Sequence, residues 1–350
     1  MLNLRLTKSP LQKGEDEAIL KEYNRLTSSR IPIDEFVHWV RNGPNGPAWH
    51  AILETDDRRI VGHTSLIPLR TAYGGPTFMA AKSEYSYTHE DFRSTPIRGF
   101  ETVKRPKFLI LVDQLFRHCQ NEGWGPFFVS TAQANHPLSR RVGCRAAEFP
   151  VWECILVLRP IGAARETPNL TSRQRAILLI AGSAQRIPWS IAPIFLGGIN
   201  GVRPGSLCGT VAPDTNRLSF FEDSDSLQWR YQKDQYVRFR IDGAPDDYLI
   251  AKRGSKDRYL RVCQWNINSA ISVKRLILPM IRHAQSDKAL GVRWAVYDDR
   301  ETATRLVTEM RRLGFLCARR VRTVMVHTKD PKFLDPAMWK MNDSLFSFDP

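Results

Sequence analysis

"FFVSTAQANHPLSRRVGCRAAEFPVWECILVL", Phe127 to Leu158, and "VRWAVYDDRETATRLVTEMRRLGFLCARRVRTVMVHT", Val292 to Thr328, follow one plan. Each opens with an apolar run of strand character, passes a polar bend and enters a helix. Each then closes through "RRVGC" or "RRLGF" into another strand. The recurrence of this order is the mark of a duplicated unit. Two copies of one α+β unit account for the 350 residues, a length that suggests about two globular bodies.

Upstream of the first copy, "EDEAILKEYNRLTSS" puts Ile19, Tyr23 and Leu26 on one helical face, and "DEFVHWVR" repeats the pattern in a shorter helix. Next, "AWHAILET", "RIVGHTSLIPLRTAY" and "TFMAAKSEYSYTHED" alternate in polarity around the turns "DDRR" and "GGP", which predicts three antiparallel strands. A helix follows in "RPKFLILVDQLFRHCQNEG". Phe108, Val112, Leu115 and Cys119 recur at helical spacing, with Pro106 suited to a first turn and Gly123 to a stop.

In the second half, "DDYLIAKRG" and "RYLRVCQWNI" read as strands. "SAISVKRLILPMIRHAQS" reads as a helix striped by Val273, Leu276, Ile277, Met280, Ile281 and Ala284, with a kink expected at Pro279. The next helix turns Ala303, Leu306, Val307, Met310 and Leu313 inward. The expected organisation is an N-terminal unit over residues 1–160, a linker over 161–205 and a C-terminal unit over 206–350. The linker holds the helical "TSRQRAILLIAGSAQR" and the apolar "IPWSIAPIFLGGINGV". That apolar stretch, Ile187 to Val202, is broken by Pro188, Pro193 and paired glycines and is shorter than the ~20 residues a spanning helix needs. It reads as a linker packed on a domain, with shallow peripheral membrane contact as the alternative.

An apolar fraction of 42% indicates a folded chain rather than a disordered one. The net charge of +15 favours an anionic ligand: a nucleotide, an acidic substrate, nucleic acid or an anionic membrane. The six cysteines form no CxxC pair, and no histidine cluster has zinc-like spacing, so reduced, mostly buried thiols and no metal site are expected. The N-terminus lacks the apolar core of a signal peptide, which predicts a cytoplasmic protein.

The order of elements, with three local signals, resembles the GNAT superfamily of acyl-CoA-dependent N-acyltransferases in a tandem arrangement. "THEDFR" is similar to the family's P-x-x-R junction after its fourth strand, Asn135 stands where the family has a strand-end asparagine, and "RVGC" and "RLGF" resemble the family's K-x-G-F bend. The resemblance implies two GNAT-like units, each a mixed, mostly antiparallel sheet flanked by helices, and acetyl-CoA or another acyl-CoA as co-substrate. In the family, a loop reading R/Q-x-x-G-x-G/A presents backbone N–H groups and a helix N-terminus to the CoA pyrophosphate, where unpaired donors and partial positive charge favour an anion.

Here Arg93 matches the opening residue. The following "STPIRGFETVKRP" is longer, has one glycine and includes Pro96, which removes a donor. Two readings stay open: Ser94, Thr95, Arg98, Gly99, Lys104 and Arg105 cradle a diphosphate, or the segment is an expanded solvated loop. The second copy, "QWNINSAISVKR", has no glycine between strand and helix, so the C-terminal unit is expected not to bind CoA but to shape an acceptor cleft.

By the same resemblance, the strand before the loop pairs with the pantetheine arm, which implicates Tyr85, Ser86, Tyr87 and Thr88. Alternation puts Glu84, Ser86 and Thr88 on one face and Ser83, Tyr85 and Tyr87 on the other. Glu84 is the expected proton acceptor, directly or through water, with His89 the substitute. "NHPLSRRVGC" offers no tyrosine as general acid. Cys144 is either a nucleophile activated by neighbouring arginines or a buried small hydrophobe. "QWRYQKDQYVRF" interleaves aromatic and basic residues as an anionic-sugar or nucleic-acid surface does, against a default of core or edge aromatics.

The expected function is transfer of an acetyl or other acyl group from CoA to an amine or hydroxyl of a small-molecule or glycan acceptor, such as an amino sugar in polysaccharide or cell-envelope assembly. Two alternatives accompany it. One is an aminoacyl-tRNA-dependent transferase of the paired-GNAT type, which the charge would suit. The other is a catalytically silent binding protein of the same fold.

Overall fold

A computed structural model describes residues 1–92, 94–129, 136–166, 171–173, 175–176, 179–180, 183, 202–204, 217–220, 223–231, 235–241, 244–253, 258–297 and 301–340. The first unit runs β1 (Leu2–Lys8), α1 (Glu15–Thr27), α2 (Ile33–Arg41), β2 (Trp49–Thr55), β3 (Ile60–Ala72), β4 (Thr77–Thr88), α3 (Lys107–Asn121), β5 (Phe127–Val129), α4 (His136–Arg141) and β6 (Arg145–Val157). After α5 (Pro160–Glu166), β7 (Val202–Pro204) and β8 (Ser219–Phe220), the second unit runs α6 (Ser224–Tyr231), β9 (Tyr236–Ile241), β10 (Ala244–Arg253), β11 (Leu260–Asn266), α7 (Ala270–Ser286), β12 (Gly291–Tyr297), α8 (Glu301–Arg312) and β13 (Leu316–His327). β1 is an edge strand that the sequence reading passed over. Most of the 161–205 linker, including the apolar stretch at 187–202, lies outside the described residues.

The α+β chain builds one mixed sheet in the order β1-β2-β3-β4-β5-β13-β6-β12-β11-β10-β9-β7, with β8 beside β3. Each unit contains one parallel pair, β4 with β5 and β11 with β12. The closing strands are exchanged. β13, from the second unit, lies between β5 and β6, and β6, from the first, lies between β13 and β12. Division of the chain at 161–205 is therefore a division in sequence, while the sheet runs continuously across it.

The cores show the same exchange. Met325 of β13 is fully buried among Leu53, Leu66, Leu111, Leu115 and Phe127 of the first unit, and Leu156 of β6 is buried among Val262, Leu276, Val292 and Met310 of the second. Each such side chain contributes about 1.5–3 kcal/mol by leaving water, so each unit completes the apolar layer of the other. α3 ends where expected, with Glu122 as C-cap and Gly123 in the left-handed region at φ 80°. α7 continues through Pro279 from Ala270 to Ser286, and the proline does not interrupt it.

The aromatic-basic stretch divides between α6 and β9. Trp229 and Tyr231 are core residues rather than a surface platform. Trp229 stacks on His38 and meets Trp39 edge-on, with ring centroids 5.3 and 4.8 Å away. Trp229 Nε1 donates to the His38 carbonyl, and His38 Nε2 donates to the Trp229 carbonyl. This reciprocal pair fastens α6 to α2.

Candidate active site

Among the described residues β4 pairs with β5 at Ala81↔Phe127 and Lys82↔Phe128, and with β3 as far as Thr88↔Gly62. Residues 130–135, which follow β5, lie outside the described residues. β4 carries a bulge: Ser65 faces Glu84 and His63 faces Tyr87, so β4 holds one residue more than β3 across this interval, and Tyr85 takes φ 53°.

The bulge corrects the expected alternation. Tyr85 and Tyr87 lie in the cluster beneath α1 and α2, with Tyr85 4.8 Å from Phe36 and 5.4 Å from Tyr23 between ring centroids. Glu84 reaches Lys82, whose sheet partner Ile67 belongs to that same cluster. Glu84 thus shares a face with the tyrosines. Ser86 instead bonds Thr64 Oγ1 at 2.7 Å, and Thr88 packs near Leu111 of α3 around Gly62. An extra residue shifts strand parity, so every side chain beyond it changes face.

Two side chains of β3 hold the bulge. Ser65 Oγ donates to the Glu84 carbonyl at 3.0 Å and His63 Nδ1 donates to the Tyr85 carbonyl at 2.8 Å. His63 Nε2 lies 2.9 Å from His50 Nδ1, and His50 Nε2 lies 2.8 Å from Ser9 Oγ. Since a carbonyl can only accept, chemistry fixes the tautomers. Ser9 O–H donates to His50 Nε2, His50 Nδ1–H to His63 Nε2, and His63 Nδ1–H to the bulge. Both imidazoles are fully buried. Burial lowers His63 to about 4, and burial followed by the neighbouring His63 holds His50 well below its ordinary value. Both rings are neutral, as the directed chain requires.

Glu84 Oε1 lies 2.6 Å from Lys82 Nζ, with the lysine side chain 1% exposed and the glutamate 21%. Tyr87 Oη is buried and has no hydrogen-bond partner among the described residues, and burial raises its phenol. His89 Nδ1, at the strand end, accepts from the Asp91 N–H at 3.3 Å, so it organises the turn after β4.

The loop after β4 divides into two parts. Ile97 is buried and bridges to Leu2 of β1, and the Arg98 N–H donates to the Leu2 carbonyl. Arg98 pairs with Asp56 at 3.3 Å, and the Gly99 N–H donates to Glu101 at 2.9 Å. Ser94 is exposed and Thr95 half-buried. Residues 96–99 therefore serve as a tie to β1. Lys104 and Arg105 directly precede α3, whose N-cap Pro106 gives it no side-chain cap, and Arg105 also reaches Asp113 at 3.9 Å. Arg93 and Asn135 lie outside the described residues.

The second unit differs at the corresponding helix. Ser269 caps α7 by accepting from the Ser272 N–H at 3.1 Å. The buried Asp247 carboxylate accepts from Asn268 N and Nδ2, each at 2.8 Å, and from Ser272 Oγ. A carboxylate of the chain itself thus lies beside the residues that open this helix. The opposite face holds a cavity of about 370 Å³ lined by Glu153, Ile155, Arg261, Arg293, Ala295 and Arg322 among others, with Arg322 3.3 Å from Glu153.

Cys144 is 3% exposed and burial pushes its thiol up to about 12, the properties of a packed hydrophobe rather than a nucleophile. Among the described residues no His/Cys/Asp/Glu group could hold a metal ion, and no helix is long and apolar enough to cross a membrane. The sequence reading missed the His50–His63 pair. Its one signal was a histidine in each of two adjacent strands, which does not reveal that the rings meet.

Solved structures of GCN5-related N-acetyltransferases share this α+β fold over most of the chain. A GCN5-related N-acetyltransferase from Kribbella flavida is 13% identical, with 92% of this chain and 71% of that one covered and a TM-score of 0.51. Eis1 from Mycobacterium abscessus is 12% identical, covering 94% and 74% at a TM-score of 0.52. A conserved protein from Enterococcus faecalis V583, described as a probable N-acyltransferase, is 9% identical, covering 92% and 71% at 0.53. No family model and no curated protein matches the sequence.

Proposed function

We propose that the chain is an acyl-CoA-dependent acyltransferase whose cleft lies in the first unit, between β4 and β5. The observation that carries this reading is the bulge of β4 at Glu84 and Tyr85, held by Ser65 and His63, on the strand that precedes an α3 N-terminus without a side-chain cap. The residues present fit an acyl-CoA: the helix end has no side-chain cap and is flanked by Lys104, Arg105 and Lys107, and the buried Tyr87 hydroxyl has no partner among the described residues. When bound, the co-substrate supplies an activated acyl thioester.

Each element has a definite task. The α3 N-terminus with Lys104 and Arg105 binds phosphate, and β4 from Ser83 to Thr88 offers main-chain groups to amides of the carrier arm. His63 and Ser65 fix two successive carbonyls of the bulge, and because the peptide is planar and trans, the paired N–H groups of Tyr85 and Ser86 point away from those partners. Preformed donors of this kind stabilise developing negative charge without reorganising. Glu84 takes the proton of the attacking amine or hydroxyl: Lys82 engages Oε1 and Oε2 is the oxygen left to receive it. His89 is committed to its turn and is the weaker choice.

The second unit, with α7 capped by Ser269 beside the buried Asp247, contributes sheet and core rather than a second co-substrate site. Its arginine-lined cavity supports an anionic ligand, and an acceptor bearing a carboxylate or phosphate suits that charge. Titration of purified protein with acetyl-CoA under thermal melting tests the reading. Saturation at a hundred times Kd adds about 2.7 kcal/mol, and no stabilisation by any CoA ester overturns it. Glu84→Gln should leave acetyl-CoA binding unchanged while slowing CoA release to a panel of amine acceptors by roughly 100-fold.

A further inference from the structure

The exchanged strands each bring one cysteine to the same level of the sheet. Cys154 on β6 and Cys317 on β13 are direct register partners across an antiparallel pair. Such partners have Cα atoms roughly 4.5–5.5 Å apart, within the roughly 4.4–6.8 Å that a disulfide spans. Direct partners project to the same face, and both side chains meet the second unit's core, with the Cys317 thiol donating to the Phe315 carbonyl at 3.8 Å.

The two sulfurs differ in surroundings. Cys154 is buried in the second unit's core with Leu156 and Trp294, while Cys317 is half-buried at its margin. The Arg311 guanidinium stacks over Trp152 at 4.8 Å. The neighbouring Cys154 sulfur, and then the Arg311 charge, hold the Cys317 thiol below its ordinary value, whereas the neighbouring Cys317 and burial raise Cys154. Cys119 and Cys144 are buried with thiols pushed up to about 12. No other described cysteine faces a second one in the sheet pairing.

We propose that Cys154 and Cys317 form a reversible dithiol–disulfide site that fastens the two exchanged strands together when the protein meets a hydroperoxide. The Cys317 thiolate attacks one peroxide oxygen; an S–O bond forms, the O–O bond breaks, and the departing alkoxide takes the proton that Cys317 released on ionising. The Cys154 sulfur then attacks the Cys317 sulfenic sulfur. An S–S bond forms, the S–O bond breaks, and hydroxide leaves with the Cys154 proton as water. Two thiols are oxidised by two electrons, and the hydroperoxide is reduced to an alcohol and water. The bridge closes a long loop across both units, which stabilises chiefly by restricting the unfolded chain.

The test uses the full chain and needs no acyltransferase assay, so its failure leaves the acyl-CoA reading untouched. Reduced protein is treated with hydrogen peroxide, alkylated and mapped without reduction by mass spectrometry. The expected product is a Cys154–Cys317 cross-linked peptide, removed by dithiothreitol, with Tm raised by roughly 5 °C in the oxidised form. Cys154→Ser should stop at a Cys317 sulfenic acid that dimedone traps, and Cys317→Ser should slow oxidation at Cys154 by roughly tenfold. A map in which Cys263 oxidises while Cys317 stays reduced overturns the proposal. So does Cys317 oxidised with Cys154 still alkylated. Both outcomes are read on the unmutated protein, so neither depends on a variant folding.

Discussion

The N-termini of α3 and α7 are corresponding places in the two units, and they are treated oppositely. α3 begins at Pro106 without a side-chain cap and follows two cationic residues, whereas α7 is capped by Ser269 and meets the buried Asp247 carboxylate. Both helices carry the same partial positive charge at their first turn. One has no side-chain cap, and the other is capped from within the chain. The fourth strands show a related contrast. The β4 bulge is held by His63 and Ser65, while β11 shifts register against β10 at Cys263 without any histidine pair. Both units thus carry a register shift on the corresponding strand, and in the first it is held by polar side chains.

The largest test of that contrast removes the internal anion. Asp247→Ala leaves two donors of Asn268 and the Ser272 hydroxyl without their buried acceptor, and should cost about 3–4 kcal/mol in urea unfolding. A loss under about 1 kcal/mol would mean water replaces the carboxylate readily and that the two helix ends are alike.

Next is the histidine chain. Unfolded histidine binds a proton below about 6.5, but His63 in the fold does so only near 4. Between these values the unfolded state binds more protons, so stability is fully present above pH 6.5 and declines as pH falls toward 4. His63 accounts for about 3 kcal/mol of that decline. Urea titrations at stepped pH should show it, and His63→Gln should flatten the slope.

Smaller effects concern binding. Lys104→Ala with Arg105→Ala should weaken acetyl-CoA binding roughly tenfold, while Lys274→Ala with Arg275→Ala at α7 should leave it unchanged, as calorimetry can compare. Equal losses at the two helices would erase the distinction between the units. Smallest of all, Arg98→Ala should alter acetyl-CoA affinity by less than about twofold, because its partner is the exposed Asp56. A larger loss would return residues 96–99 to the phosphate site.

Much of the architecture was legible in local pattern. The stripe of α3, the Gly123 stop and the repeated bends at Gly143 and Gly314 are short-range signals, and Gly143 and Gly314 both take positive φ, at 84° and 87°. Glu84 was legible as a polar residue on the fourth strand, but its face was not. A single residue at positive φ, Tyr85, reverses the parity that alternation assumes. The loop was read as a phosphate cradle or a solvated connection. The structure makes part of it a tie to β1, an outcome set by Leu2, far away in sequence.

The sequence by itself determined the order of elements, the duplication and the class of sheet, because helical and strand periodicities are properties of neighbouring residues. Only the tertiary structure decided which unit keeps an open helix end, where β6 and β13 insert, and that His50, His63 and Ser9 form one chain. Those facts depend on contacts between residues distant in sequence, whose meeting is set by the packing of the whole sheet rather than by any local preference.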